Sequence, residues 1–450
     1  MISGRNEPIM LPCSAPIGIL LSKLRIFRRH FSTFVLTRGL LAALLGSAFI
    51  YLDFWGVSAP WLHSVLGIGA LYLLLPSNKN IWAVTGFFTG IFWFWWIALS
   101  FNHYHMPWAV PIVVLAIGFL YAVLFWLIAY AGSAYQLKNT MVGKPTLQEL
   151  LLKSVGLLLF SYIHPFGFDW YKPELMFVES YFGIEKWQFA VLLAGIVLTI
   201  YKKHYIYLLI LLLAYTPLSK TPVDPPSDIR MVTTWTTVEE KWNKTLQPRQ
   251  FDKLFSAIDQ AIDENKTLVI LPESVFPVFL KRSAFLLYAL KKRSEKIAIV
   301  TGGLYWDGES PRNSTYIFTN GTVQIANKLL LVPFGESNPL PDFLSDWVNK
   351  LFYDGAVDYK ADSHVTDYTL NGTTYRNAIC FEATSEKLYQ GDPKKMIVLS
   401  NNGWFTPSIE PTLQKLLLQY YSRKYGTTIY HAINMSESYI VQNGHTRSIR

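Results

Sequence analysis

A chain of 450 residues has room for more than one domain, and this one is 51% hydrophobic, 16% aromatic and only 16% charged. Soluble domains carry about 25% charged residues, so the deficit excludes a wholly soluble protein and points to membrane segments. The net charge of +9 does not indicate nucleic acid. In the first half the basic residues form short clusters between apolar runs, a pattern that orients helices in a bilayer.

The chain opens on an ambiguous stretch. Residues 10–21 are apolar but few, and the basic cluster Lys23, Arg25, Arg28 and Arg29 follows them, the reverse of a secretory signal. Pro12 precedes Cys13 where lipoprotein processing needs a small residue, so residues 1–30 read as a cytoplasmic or interfacial tail. Seven apolar runs follow, near 33–52, 59–75, 81–101, 108–131, 150–164, 187–201 and 204–217. A helix crosses a bilayer with about 20 apolar residues, fewer where the membrane thins or flanking residues snorkel. The last two runs, parted by Lys202-Lys203-His204, are the shortest, and read as two spans or one buried hairpin.

Loop charge sets the orientation. With the N-terminus inside, the inner connections hold Lys79, Lys138, Lys144, Lys202 and Lys203. Outside, residues 53–58 and 102–107 hold no lysine or arginine, and a longer segment holds Lys172 and Lys186. That asymmetry and an odd number of spans put everything after Pro217 on the outside. His103 and His105, in an outer loop, have no matching metal-ligand spacing. The aromatic run Phe92-Trp93-Phe94-Trp95-Trp96 reads as helix packing or interfacial anchoring.

Thr221-Pro222-Val223-Asp224-Pro225-Pro226 propagates neither helix nor sheet, so the expected units are a bundle at 1–217, a linker at 218–228 and a second domain at 229–450. Strands are expected at 229–236, 267–271, 297–304, 314–319, 322–326, 374–379, 396–400 and 427–434. Helices are expected at 249–263, 278–293 and 412–425, the last punctuated by Pro411 and Gly426. Such alternation implies a layered α/β domain with its site at strand ends.

Three strand ends carry chemistry: Leu268-Val269-Ile270-Leu271-Pro272-Glu273, Asn327-Lys328 running on to Gly335-Glu336, and Asn377-Ala378-Ile379-Cys380-Phe381-Glu382. A lone cysteine is ordinarily a small buried hydrophobe. What argues otherwise is the order Glu, Lys, Cys, each at the end of a β-like run. In that order, and with "LPES", "NKLLLVPFGE", "CFE", the Lys241-Trp242 pair and "LSNNGWF" (399–405), the chain resembles the nitrilase (carbon–nitrogen hydrolase) superfamily. The resemblance is closer to the apolipoprotein N-acyltransferases, whose nitrilase domain follows a membrane bundle. It implies that the bundle, read above as about seven spans, is followed by an αββα sandwich on the periplasmic side of the bacterial cytoplasmic membrane.

The resemblance implies a catalytic triad of Glu273, Lys328 and Cys380. A thiol of pKa about 8.5 needs activation at neutral pH; Glu273 would be the base and Lys328 the partner of the oxyanion, with the Phe381 amide as a second donor. Glu336 is expected to orient Lys328, and Glu382 to position the substrate amine. Trp242 is expected to line the acyl entrance, and Asn401, Asn402, Trp404 and Phe405 to form a loop closing over the site. Residues 338–360, with Trp347, Leu351, Phe352 and Tyr353, read either as a lipid-admitting lid or as a helix packed on its own domain. Three departures stand out: Phe381 replaces a common Tyr, Asn402-Gly403 replaces Asp-Ala, and the usual final transmembrane helix is missing, so the chain reads as a short branch or a truncation.

The implied reaction takes an acyl chain from a phospholipid, forms a thioester on Cys380, and passes it to the amine of a diacylglyceryl-cysteine apolipoprotein, with no cofactor and no metal. A membrane-anchored amidase of the same chemistry and a non-catalytic lipoprotein-binding scaffold are the alternatives.

Overall fold

The computed structural model describes residues 32–134, 145–217, 223–333, 335–337 and 359–449. The N-terminal tail, Lys138 and Lys144, the start of the linker and the lid candidate around Trp347 and Tyr353 lie outside them.

Helical segments occupy all seven apolar runs: α1 (Thr33–Phe54), α2 (Pro60–Leu74), α3 (Lys79–Phe94, continued by short turns to His103), α4 (Ala109–Ala134), α5 (Leu147–Phe160), α6 (Lys186–Lys202) and a 3₁₀ helix (Tyr205–Ala214). Four are long and apolar enough to cross a membrane: Thr33–Phe54, Lys79–His103, Ala109–Ser133 and Leu147–Gly167. Helix starts follow local chemistry. Ser32, Asn78 and Thr146 accept amide hydrogen bonds as N-caps of α1, α3 and α5, satisfying donors that no preceding turn can reach.

Packing inside the bundle depends on small residues. Gly86 and Gly90, four apart on α3, face α4 so closely that a Cβ would lie 2.4 Å from the Tyr121 carbonyl oxygen and 2.9 Å from that of Ile117. Close backbone approach is how helices associate where lipid removes the hydrophobic drive. The opposite stripe of α4 leaves Ile112, Leu115, Phe119, Val123, Leu127 and Tyr130 exposed, an apolar face that only lipid suits. Of the aromatic run, Trp93, Phe94 and Trp96 are buried, so it packs the interior.

The second domain is a sandwich of two six-stranded mixed sheets. The first contains β1 (Ile229–Met231), β2 (Leu268–Ile270), β3 (Phe276–Phe279), β4 (Ala298–Trp306), β5 (Pro311–Thr319) and β6 (Thr322–Asn327). The second contains β7 (Asp367–Leu370), β8 (Thr373–Ile379), β9 (Lys395–Asn401), β10 (Thr428–Asn434), β11 (Tyr439–Gln442) and β12 (His445–Ser448). Central strands are parallel, β2 beside β4 and β8–β9–β10 in register. They are buried on both faces, as their unbroken apolar runs require. Ile397 and Leu399 of β9 meet Ile270 and Val300 between the sheets, while Met396 and Val398 face outward.

Helices cover both outer faces. After the short α7 (Val238–Trp242) come α8 (Gln247–Asp263) and α9 (Ala284–Arg293), which pack on the first sheet; α10 (Glu410–Tyr425) packs on the second. The other side of α10 meets the bundle, so one continuous core runs from Phe94 and Tyr171 through Leu417 and Tyr421 to Met396. Polar contacts reinforce that junction: Lys415 pairs with Asp53 at 2.7 Å, and Arg423 donates to the carbonyls of Val178 and Phe182.

The expected elements need three corrections. The helix expected over 278–293 begins only at Ala284, because Phe276–Phe279 forms β3 against β4; a short apolar run satisfies either period. The strand expected over 229–236 ends at Met231, with Thr234 making one isolated bridge to Asn434. Strands β7, β11 and β12 were not expected, being four-residue pieces too short to show alternation.

Candidate active site

The acid of the first strand end is held by a turn that only glycine permits. Leu271-Pro272 follows β2, Ser274 takes a left-handed φ of 47°, and the chain folds back against β4 so that Gly302 donates to the Pro272 carbonyl. A Cβ on Gly302 would lie 2.2 Å from the Ser274 nitrogen and 2.7 Å from the Glu273 Cα. Gly302→Ala is therefore expected to lower the unfolding midpoint, at a cost of about 1–3 kcal/mol, and to slow the chemistry by misplacing Glu273. Gly303→Ala is the control, since its Cβ would meet nothing closer than 3.3 Å; equal behaviour of the two variants would contradict the close-approach argument.

Lys328 follows β6 directly and is 1% exposed. Its Nζ lies 2.8 Å from Glu336 Oε2, whose carboxylate also accepts the Val332 amide at 2.9 Å. Asn313 on β5 spans the two acids: its Nδ2 donates to Glu273 Oε1 and to Glu336 Oε1, both at 2.7 Å. Burial favours a neutral Lys328 amine, but Glu336 and then Glu273 outweigh it and hold the ammonium well above the ordinary lysine range. Glu273 is raised by burial, against the pull of Lys328. Two carboxylates, one ammonium and one bridging amide thus form a single buried unit.

Cys380 follows β8 directly with φ 52°, a strained backbone for a non-glycine residue, costing about 1–3 kcal/mol. Glu382 stabilises the turn: Oε1 accepts the Ile379 amide at 2.7 Å, and Oε2 accepts those of Leu329 and Leu330 at 2.6 and 3.1 Å. It is 1% exposed, and burial pushes its carboxyl up to about 7. With both oxygens occupied by three amides, Glu382 ties the Cys380 turn to the chain leaving Lys328, a bracing position in place of the expected contact with substrate amine. Phe381 turns toward the bundle, stacking on Phe168 and Trp170 at centroid distances of 5.5 and 6.4 Å, and Trp170 donates to Thr384 Oγ1 at 2.6 Å.

Charge converges on the thiol. Burial, and then the nearby Glu273 carboxylate, push Cys380 well above the usual thiol range, with Lys328 pulling the other way. At rest the sulfur is therefore a thiol, with the Glu273 carboxyl and the Lys328 ammonium both acting on it. Glu273→Gln removes the carboxylate that raises the thiol, so alkylation of Cys380 by iodoacetamide at neutral pH, in a Cys13→Ser background, is expected to become severalfold faster. Slower alkylation would contradict this account.

The remaining expected residues lie around this unit. Trp242 ends α7 and is 45% exposed, at the rim. Its neighbour Lys241 reaches inward: 5% exposed, it donates from Nζ to the Glu273 carbonyl at 3.3 Å, and burial lowers its amine to about 8. Asn401 accepts the Asn434 Nδ2 at 2.7 Å and the Gly403 amide, shaping the 401–405 loop. Trp404 stacks on Tyr104 and meets the His103 ring edge-on, while His103 Nδ1 lies 3.2 Å from Glu239 Oε1. That loop thus docks on the connection between α3 and α4 of the bundle.

Sequence reasoning missed Asn313, Lys241, Tyr359, Glu410 and Gln414. Asn313 lies within a strand, in Asn313-Ser314-Thr315, with no motif to mark it. Tyr359 shows no motif, yet it feels Glu336 and Glu273 and is pushed by burial up to about 12. Only Lys241 had a signal, the Lys-Trp pair itself.

Residues 33–218 match the family model described as the apolipoprotein N-acyltransferase integral membrane domain. The chain is 42% identical to the apolipoprotein N-acyltransferase of Wolinella succinogenes over 409 residues, covering 89% of this chain and 94% of that one. It is 35% identical to that of Helicobacter pylori, covering 87% and 91%, and 35% identical to that of Campylobacter jejuni, covering 89% and 88%. Among solved structures, a CN-hydrolase superfamily protein from Xanthomonas campestris is similar over 49% of this chain and 85% of its own, at 14% identity and a TM-score of 0.38.

Proposed function

The chain belongs to the apolipoprotein N-acyltransferase family, and on that premise we propose that it moves an acyl chain from a membrane phospholipid to the N-terminal amine of a diacylated apolipoprotein through a thioester on Cys380. The observation that supports this most is the unit of Glu273, Lys328, Asn313 and Glu336 whose field falls on the Cys380 thiol.

In the first step Glu273 takes the thiol proton and sulfur attacks the ester carbonyl of the donor. Lys328, with the Phe381 amide, balances the developing oxyanion. The carbon–oxygen bond breaks, and Glu273 returns the proton to the leaving lysophospholipid alcohol. In the second step the acceptor amine attacks the thioester, Glu273 removes its proton, the carbon–sulfur bond breaks and Cys380 leaves as thiol. Ester and amine are consumed; alcohol and amide are produced. The residues needed are all in the chain.

The membrane-side features support the same reading. Helices at seven apolar runs and the lysine asymmetry favour an odd number of crossings of the cytoplasmic membrane, with the bundle through 217, a linker at 218–228 and the sandwich from 229 on the periplasmic side. Phe381 stacked on Phe168 and Trp170 puts the cysteine turn against the membrane bundle. The test is to incubate the purified protein with acyl-labelled phosphatidylethanolamine, look for a hydroxylamine-sensitive adduct, then add a diacylated lipopeptide. Transfer of label to the peptide is expected; release as free fatty acid in place of transfer would instead mark an amidase.

A further inference from the structure

Among the described residues, one acid beside the thiol has neither an ion-pair partner nor a full set of hydrogen bonds. Glu410 and Gln414 lie one turn apart at the start of α10, 2% and 0% exposed. Gln414 Nε2 is 4.0 Å from the Cys380 sulfur, and Glu410 acts on that thiol together with Glu273 and Glu336. Glu273 and Glu336 share Asn313, Lys328 neutralises Glu336, and Glu382 holds three amides. By contrast, Glu410 Oε2 and Gln414 Oε1 are buried with no hydrogen-bond partner among the described residues. The Tyr439 hydroxyl, also without one, lies in the field of Glu410.

Buried polar atoms without partners are rare and costly, and a buried carboxyl without a cation stays protonated. Burial first, and then the Glu273 charge, push Glu410 up to about 8. The cations already present are committed elsewhere, Lys328 to Glu336 and Lys241 to the Glu273 carbonyl. Two acceptor oxygens on successive turns beside the reacting sulfur suit a small group that carries positive charge and several N–H donors. A guanidinium is a planar fork that favours two oxygens of one acid, and a quaternary ammonium has no N–H to give.

We propose that Glu410 and Gln414 form the binding site for the primary ammonium group of a substrate, delivering it to the acyl group on Cys380. This rests on the acyl-transfer reading above and deepens it. The shared chemistry is R–NH₃⁺, which has two sources: the free α-amine of the acceptor and the ethanolamine headgroup of the donor. If the acceptor is held there, its neutral amine takes the Glu410 proton to form the ion pair; Glu410 takes that proton back as nitrogen attacks the thioester carbon, Glu273 removes the second, and that proton passes to the Cys380 sulfur as the carbon–sulfur bond breaks.

The experiment uses full-length protein in lipid nanodiscs, wild type, Glu410→Gln, Glu410→Asp and Gln414→Met, each checked by its thermal midpoint. Two quantities are measured. One is the ratio of adduct-formation rates from acyl-labelled phosphatidylethanolamine and phosphatidylcholine of identical chains. The other is the KM for a diacylated lipopeptide with a free α-amine. If the acceptor is the ligand, Glu410→Gln raises that KM about tenfold or more, Gln414→Met raises it less, Glu410→Asp recovers part of it, and the donor ratio stays put. If the headgroup is the ligand, the donor ratio falls toward one and the KM is unmoved. Unchanged ratio and KM would overturn the proposal, as would equal loss of adduct from both donors, which would mean Glu410 acts on the thiol alone. Absence of any adduct in the wild type would instead remove the acyl-transfer reading.

Discussion

Cys380→Ser is expected to abolish both halves of the reaction, with labelled-adduct formation and transfer to the lipopeptide falling by at least about a thousandfold. The hydroxyl is close to the thiol in size, so the left-handed turn, the Glu382 brace and the Phe381 stack should survive, and the thermal midpoint should move by no more than a few degrees. Chemistry is what fails. Glu273 can remove a thiol proton, but a buried serine hydroxyl is a far weaker acid in the same field, and Lys328 is already drawn toward Glu336 at 2.8 Å. A serine variant with full activity would show that sulfur is not the acyl carrier.

Lys328→Met separates the ion pair with Glu336 from the oxyanion role that the proposed mechanism gives the same residue. As the oxyanion partner, its loss costs about 2.7–4 kcal/mol of barrier, a factor of about 10² to 10³ in rate. As the cation between Glu336 and Glu273, its loss leaves two carboxylates on one Asn313 amide, and breaking a buried pair in this way costs about 3–5 kcal/mol of stability. The single variant is therefore expected to lose both rate and midpoint. Combining it with Glu336→Gln removes the stranded charge, so the midpoint should recover while the rate does not. Recovery of both would make Lys328 a structural cation with no part in catalysis.

Much of the site was legible because strand ends carry their chemistry in consecutive letters. Cys380 with Glu382, Lys328 with Glu336, and Glu273 after an apolar run are local patterns, each fixed by where a strand stops. The residues that complete the site have no such signature. Asn313 lies in mid-strand on β5, and it matters only because β5 brings it under both acids. Glu410 precedes the helix expected over 412–425 and carries no motif; it gains its place because α10 begins there and brings it to the thiol. Glu382 shows the converse: its spacing from Cys380 was plain, but its direction was not, since a short turn sends it inward to three amides.

Composition, loop charge and motif order by themselves determined that this chain has a membrane part and a layered α/β part, and singled out three strand ends with candidate reactive groups. Those are properties of short windows, where apolar length and side-chain type act locally. Only the tertiary structure decided what each carboxyl meets, which lysine faces inward, and how the cysteine turn stacks on the bundle. Such contacts join residues tens to hundreds of positions apart, and the packing of two sheets and a helix against the bundle brings them within reach.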